Sequence, residues 1–233
     1  MIRCYPPILA YHRVGRFKHD HVPTVSTEAF EAQLQYLHRW RVQVVPFEAL
    51  AEQMAAGKPL PRRATVITFD DGYEETYTNA WPLLKRFKFP STVFVTPGEV
   101  GLSGFATWEQ VRGMATDGVT IGNHTMHHAY LPLVKEAALP EELIESRRVI
   151  EQQISRPVRL MSYPIGGYTA RAQEIVREAG YLAACTTNRG RQRALDRFAL
   201  RRIKMNDRDA NPLLLAAKLS GYYDVFRRLR QPD

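Results

Sequence analysis

Two hydrophobic patterns take turns along the chain. Short continuous runs of β-branched and apolar residues alternate with stretches in which apolar residues recur every three or four positions, the spacing of one helix face. PPILAYH opens the series as a short buried strand. STEAFEAQLQYLHRW then sets Phe30, Leu34 and Leu37 on one helical face, with Ser26 or Thr27 as its N-cap. VQVVPF predicts a strand and FEALAEQMAAG a helix ending at Gly57. ATVITF, residues 64–69, has the unbroken character of a strand buried on both faces of a parallel sheet. A helix around TYTNAWPLLKRF follows, then the strand STVFVT, the helix TWEQVRGMATDG and the strand VTIGNH. PEELIESRRVIEQQIS is an amphipathic helix, RLMSYP a strand, TARAQEIVREAG a helix and YLAACTT a strand. FALRRIKM reads as the last strand and NPLLLAAKLSGYYDVFRRL as a closing helix. No repeat, low-complexity segment or linker interrupts the series, so residues 1–233 are expected to form one domain.

Strands alternating with helices predict an α/β fold, a parallel sheet or barrel with helices outside. Such folds collect their chemistry at the C-terminal ends of the strands. Four predicted strand ends carry notable groups: His12 after PPILAY, Asp70 and Asp71 after ATVITF, His124, His127 and His128 after VTIGN, and Pro164 with two glycines after RLMSY.

Adjacent side chains diverge, so Asp70 and Asp71 suit a division of labour, one binding a cation and the other accepting a proton. Gly72 permits a tight turn behind them. His124 and His128 lie four apart and would face the same way on a helical turn; His124 and His127 could converge as well. Two imidazoles and one carboxylate make a three-ligand site with room left for water and substrate, the pattern of a catalytic metal.

Composition narrows the classes. Apolar residues are 45% and charged residues 24%, ordinary for a folded globular protein. No apolar run approaches the roughly 18 residues that span a bilayer. The N-terminus lacks the uninterrupted apolar core and cleavage site of a signal peptide, so a cytoplasmic protein is expected. The two cysteines, Cys4 and Cys185, form no CxxC and are expected to be reduced and buried. The net charge of +8 comes with arginine clusters in RGRQR, ALRRIK and FRRLRQ. No basic stretch interleaves with aromatics and no nucleic-acid-binding motif occurs, so these read as a solvated face.

TFDDG (68–72), HTMHH (124–128) and YPIGGY (163–168) resemble, in order and spacing, the first three motifs of the polysaccharide deacetylases, the NodB-homology group of carbohydrate esterase family 4. The resemblance covers about residues 8–205. It implies a distorted (β/α) barrel and a divalent metal, zinc first, with Co²⁺, Ni²⁺ or Mn²⁺ as other occupants. It also implies hydrolysis of N-acyl groups, chiefly N-acetyl, on amino sugars of a polysaccharide or its precursor. Asp70 then resembles the catalytic base, Asp71, His124 and His128 the metal ligands, and Thr125 a supporting hydroxyl. A backbone N–H near Ile165 would face the oxyanion, and Tyr73 and Tyr168 are candidates for stacking on the sugar because they adjoin the motifs.

The chain departs from the family pattern in three places. The third motif usually carries an arginine that tethers the base, and here Ser162-Tyr163-Pro164-Ile165-Gly166 stands instead. The Asp and Trp of the fourth motif are not found. No histidine follows His128, so the late Leu–His motif is absent. ILAYHRVG resembles the opening of a permuted branch that includes the poly-β-1,6-N-acetylglucosamine deacetylases, in which this element lies on the first strand. There His12 would be the general acid and Leu9 would line the acyl pocket. LRRI at 200–203 resembles a late element of that branch, which would let Arg202 replace the missing tether. Other readings of the same site are a deacetylase or deformylase of a nucleotide- or lipid-linked amino sugar, and a sugar-binding relic without activity.

Overall fold

The computed structural model describes residues 5–17, 22–188 and 195–220. Strand β1 (Ile8–Tyr11) leads through two short pieces, β2 (Arg13–Val14) and β3 (Thr24–Val25), to α1 (Thr27–Arg39). Then come β4 (Gln43–Val44), α2 (Phe47–Ala55), β5 (Ala64–Phe69), α3 (Trp81–Phe87), β6 (Thr92–Val95) and α4 (Trp108–Thr116). The second half runs β7 (Thr120–Asn123), α5 (Ser146–Ile154), β8 (Leu160–Ser162), α6 (Ala170–Glu178), β9 (Ala183–Thr186), β10 (Leu200–Lys204) and α7 (Pro212–Leu219). The parallel order β1-β10-β9-β8-β7-β6-β5 closes on itself because β1 also pairs with β5, giving a seven-stranded barrel. The short β4 pairs only with the first two residues of β5.

Side chains alternate along each strand, and the alternation sorts them into two cores. One cluster gathers Ile8, Val66, Phe94, Leu160, Cys185 and Leu200 with Phe47 and Leu50 of α2. This fills the barrel interior and plugs its lower end. The larger cluster lies between the strands and the surrounding helices, where Tyr11 and Phe69 meet Phe30 of α1 at ring distances of 5.1 and 5.8 Å. The apolar stripes of α1 and α3–α7 cover this outer layer, while α2 turns its own stripe to the barrel end. Ser26 caps α1 through its side chain, and Thr107 with Gln110 forms a capping box on α4. Among the described residues no helix is long and apolar enough to cross a membrane.

Several sequence expectations change. Leu9 does not line the catalytic cavity: it is fully buried in the outer layer with Tyr11. The period of two that turns Ile8, Ala10 and His12 inward turns Leu9 outward. The VQVVPF strand shortens to two residues because Pro46 opens α2. Over TYTNAWPLLKRF, a wide helical turn at Thr76–Ala80 precedes the regular α3, where Pro82 supplies no backbone donor. Cys185 is buried, and burial pushes its thiol up to about 12. Cys4, the RGRQR and FRRLRQ clusters and the end of the closing helix lie outside the described residues.

Gly122 on β7 shows how tightly the interior is filled. A Cβ there would lie 2.5 Å from Phe94 Cδ1 and 3.1 Å from the Leu160 carbonyl oxygen. Phe94 is itself fully buried. Gly122→Ala is therefore expected to lower the urea-unfolding free energy by about 1–3 kcal/mol. An unchanged unfolding midpoint would show that the interior yields more than this packing allows.

Candidate active site

The barrel mouth is built by residues one step past the strands. The Asp70 N–H donates to the Tyr11 carbonyl, the His124 N–H to Val95 and the Tyr163 N–H to Cys185, at 2.9, 2.9 and 3.0 Å. Each chain thus leaves its strand on a last ladder bond before turning. The turns are unusual. Asp71, Thr125, His128 and Ile165 all have left-handed backbones, with φ of 70°, 67°, 54° and 57°, and Gly72 follows Asp71 at 77°. Left-handed non-glycine residues cost energy and concentrate where a fold holds side chains in one arrangement. HTMHH is therefore not a helical turn, contrary to the i, i+4 expectation. His124 and His128 converge through a loop instead, and Thr125 ties it by accepting the Ala129 N–H at 3.1 Å.

The two aspartates part as expected of adjacent residues. Asp70 points to Arg202, which donates from Nη1 to Oδ1 at 2.6 Å and from Nη2 to Oδ2. The same guanidinium donates to the Thr68 hydroxyl at 3.0 Å and the Ser162 hydroxyl at 2.7 Å. It also lies 5.5 Å from the Phe94 ring that floors the site. Ser162 occupies the motif-three position where the family carries arginine, and its short side chain leaves room for a guanidinium arriving from β10. Burial alone would raise the Asp70 pKa, but Arg202 and the nearby imidazoles hold the carboxyl below its usual range.

Asp71 points to the histidines. Its Oδ1 is 3.3 Å from His124 Nε2 and 3.2 Å from His128 Nε2. Ligand atoms of these three residues all lie within 4.8 Å of one another. Asp71 Oδ1 is buried and has no hydrogen-bond partner among the described residues. The two distances from Asp71 Oδ1 match the about 3.3 Å between donors around a tetrahedral ion with bonds of about 2.0–2.1 Å. His124 Nδ1 lies 2.7 Å from the Ser162 carbonyl. A carbonyl only accepts, so Nδ1 carries the proton and the Nε2 lone pair faces Asp71. The donor set thus fits a divalent cation. His127 turns away, with its side chain 58% exposed.

His12 completes the mouth from β1, with Nε2 3.8 Å from Asp70 Oδ2. Its Nδ1 is buried without a hydrogen-bond partner among the described residues. Burial pushes the imidazole pKa down, partly offset by Asp70 and Asp71. A cavity of about 250 Å³ opens above these groups, lined also by Tyr73, Glu99, Tyr163, Ile165, Thr187 and Lys204. Tyr73 stacks on Phe105 at 4.9 Å and carries the Arg13 guanidinium over its ring at 4.8 Å, so this wall is stiff. Ile165 is 65% exposed at the rim. Tyr168 does not line the cavity but stacks behind Tyr163 at 4.6 Å. Sequence reasoning passed over Tyr163, Glu99, Thr187 and Lys204. Lys204 had a readable signal, since it lies two residues beyond Arg202 and shares its face.

The family model described as polysaccharide deacetylase matches residues 57–184. That segment holds Asp70, Asp71, His124, His128 and the third motif, while His12 and Arg202 come from outside it. The YxkH protein of Bacillus subtilis (strain 168) is 28% identical over 201 residues, 86% of this chain and 71% of YxkH. The poly-β-1,6-N-acetyl-D-glucosamine N-deacetylase of Escherichia coli (strain K12) is 34% identical over 123 residues, 46% of this chain and 18% of that enzyme. The chain therefore spans only a small part of the Escherichia coli relative. The solved structure of IcaB from Ammonifex degensii is 27% identical with a TM-score of 0.79, covering 91% of this chain and 96% of that one.

Proposed function

As the chain belongs to the polysaccharide deacetylase family, we propose that it removes N-acetyl groups from β-1,6-linked N-acetylglucosamine units, with a divalent ion, zinc first, held by Asp71, His124 and His128. One observation carries this reading: the three candidate ligands face a separately tethered carboxylate, Asp70, and an imidazole, His12, across a single cavity. The substrate assignment draws on the 34% identity to the Escherichia coli enzyme of that name and on the likeness to IcaB.

When bound, the ion supplies Lewis acidity, lowering the pKa of water and polarising an acyl carbonyl. Asp70 takes the proton of the attacking water, and Arg202 keeps that carboxylate ionised and aimed. The Ile165 N–H is assigned to the oxyanion that develops on the carbonyl. As the C–N bond breaks, His12 gives its Nε2 proton to the leaving nitrogen, so acetate and a free amine result. Tyr73 and Tyr163 wall the sugar, and Tyr168 backs Tyr163. The cavity has the scale of one acylated sugar ring rather than of a long polymer segment.

Acetate release from N-acetylglucosamine oligomers tests this. Protein stripped with chelator is expected to lose at least about a hundredfold of its activity, and stoichiometric Zn(II) or Co(II) should restore it. Full activity after exhaustive stripping would remove the metal from the reading. Metal-dependent formate release without acetate release would reassign the acyl group.

A further inference from the structure

The third imidazole of HTMHH has no part in the proposed chemistry, yet it has a partner. His127 Nδ1 lies 2.8 Å from Glu142 Oε1. The other carboxylate oxygen, Oε2, accepts the Met126 N–H at 3.0 Å and the His127 N–H at 3.1 Å. The Glu142 side chain is only 9% exposed. One nearly buried carboxylate therefore takes three contacts from the short loop joining two of the candidate metal ligands. Resting on the metal reading above, we propose that Glu142 is a positioning residue that holds residues 124–128 in the shape in which His124 and His128 converge on Asp71, with His127 closing the clamp.

Two physical facts make such a clamp necessary. The loop carries left-handed backbone at both Thr125 and His128, which an unrestrained chain would tend to relax. His128 is also the most exposed of the three ligands, at 32% of its side chain, so little packing holds it in place. The anchor itself is fixed. The Ser146 hydroxyl donates to the Glu142 carbonyl at 2.6 Å and accepts from the Asn123 amide at 2.7 Å. Asn123 immediately precedes His124, so the start and middle of the loop are tied to the same helical turn. The opposite side is closed by the Gly98 N–H, which donates to the Met126 carbonyl at 2.9 Å. A Cβ at Gly98 would fall 2.6 Å from that oxygen, so the contact is as close as the backbone allows.

The test is metal affinity rather than turnover. Metal-stripped wild type, Glu142→Ala, Glu142→Gln and His127→Ala would be titrated with Co(II) against a competing chelator. The visible Co(II) spectrum reads coordination, and thermal unfolding of the metal-free proteins runs in parallel. Glu142→Ala is expected to weaken binding about 10- to 100-fold and to alter the spectrum, the scale of losing a partner behind the ligands. Glu142→Gln should recover most of the affinity, because its amide oxygen still accepts the Met126 and His127 N–H groups. His127→Ala, at an exposed side chain, should lose about fivefold, the scale of one net hydrogen bond. Wild-type affinity and an unchanged spectrum in Glu142→Ala would overturn the proposal. If that variant does not fold, unchanged affinity in His127→Ala overturns it equally. A wild type that binds no metal would instead remove the metal reading, and this clamp with it.

Discussion

Asp70→Asn is expected to lower kcat for deacetylation by about 10²- to 10⁴-fold, the usual range for removing a general base. The same change disturbs a buried ion pair, so the activity loss must be separated from unfolding. Arg202 has no exposed side-chain surface and Asp70 only 3%. Removing one partner of such a pair leaves an uncompensated buried charge and costs about 3–5 kcal/mol, while replacing both with neutral groups of similar size is often near neutral. Arg202→Met alone should therefore be strongly destabilised at neutral pH. Asp70→Asn combined with Arg202→Met should regain most of that stability and none of the activity. The sign with pH is fixed as well. The folded-state Asp70 pKa is depressed, so the pair's stabilisation is present above the unfolded carboxyl pKa, about 3.9, and is lost as pH falls through the folded value. The stability gap between wild type and Arg202→Met should narrow in acid. Single-turnover acetate release and urea unfolding at several pH values measure both parts. A double variant that recovers turnover with its stability would take Asp70 out of the chemistry.

Much of this arrangement was legible in the chain. Alternating strand and helix patterns pointed to a parallel sheet or barrel, the family resemblance chose the barrel, and the strand ends marked His12, Asp70, Asp71, His124 and His128 along with His127, which turns away. The structure brings all five to one mouth. What could not be read was backbone shape. Left-handed Thr125 could not be read from HTMHH, because a β-branched residue rarely adopts that conformation, and histidine adopts it too seldom to mark His128. The helical explanation for the His124–His128 spacing was wrong even though the two rings do meet, at 5.0 Å. Leu9 illustrates a different kind of miss. Its outward direction follows from period two once His12 is placed inward, but the family resemblance drew it toward the acyl pocket. Glu142 lay hidden for a third reason. It sits in a separate element, within an amphipathic segment where one more glutamate looks like solvated surface. Only the folded chain shows it buried against the loop.

His12→Ala should show a loss that depends on the leaving group, and this dependence separates its role from that of Asp70. An amide leaves as an amine only if its nitrogen gains a proton, so removing the acid should cost about a hundredfold or more on N-acetylglucosamine oligomers. An aryl acetate leaves as a weakly basic phenolate and needs no such proton. On that substrate His12→Ala should keep activity within a few-fold of wild type, whereas Asp70→Asn should remain slow on both, because each reaction still needs an activated water. The local geometry is consistent with a donor rather than a structural histidine. The side chain is 14% exposed, Nε2 faces the cavity near Asp70, and Nδ1 is buried with no partner among the described residues to anchor the ring. Burial lowers the imidazole pKa, and the nearby Asp70 and Asp71 carboxylates act against it by favouring the charged form. Equal losses on amide and aryl ester would assign His12 to water activation or to shaping the site. No loss on either would return the general-acid role to a group elsewhere along the mouth.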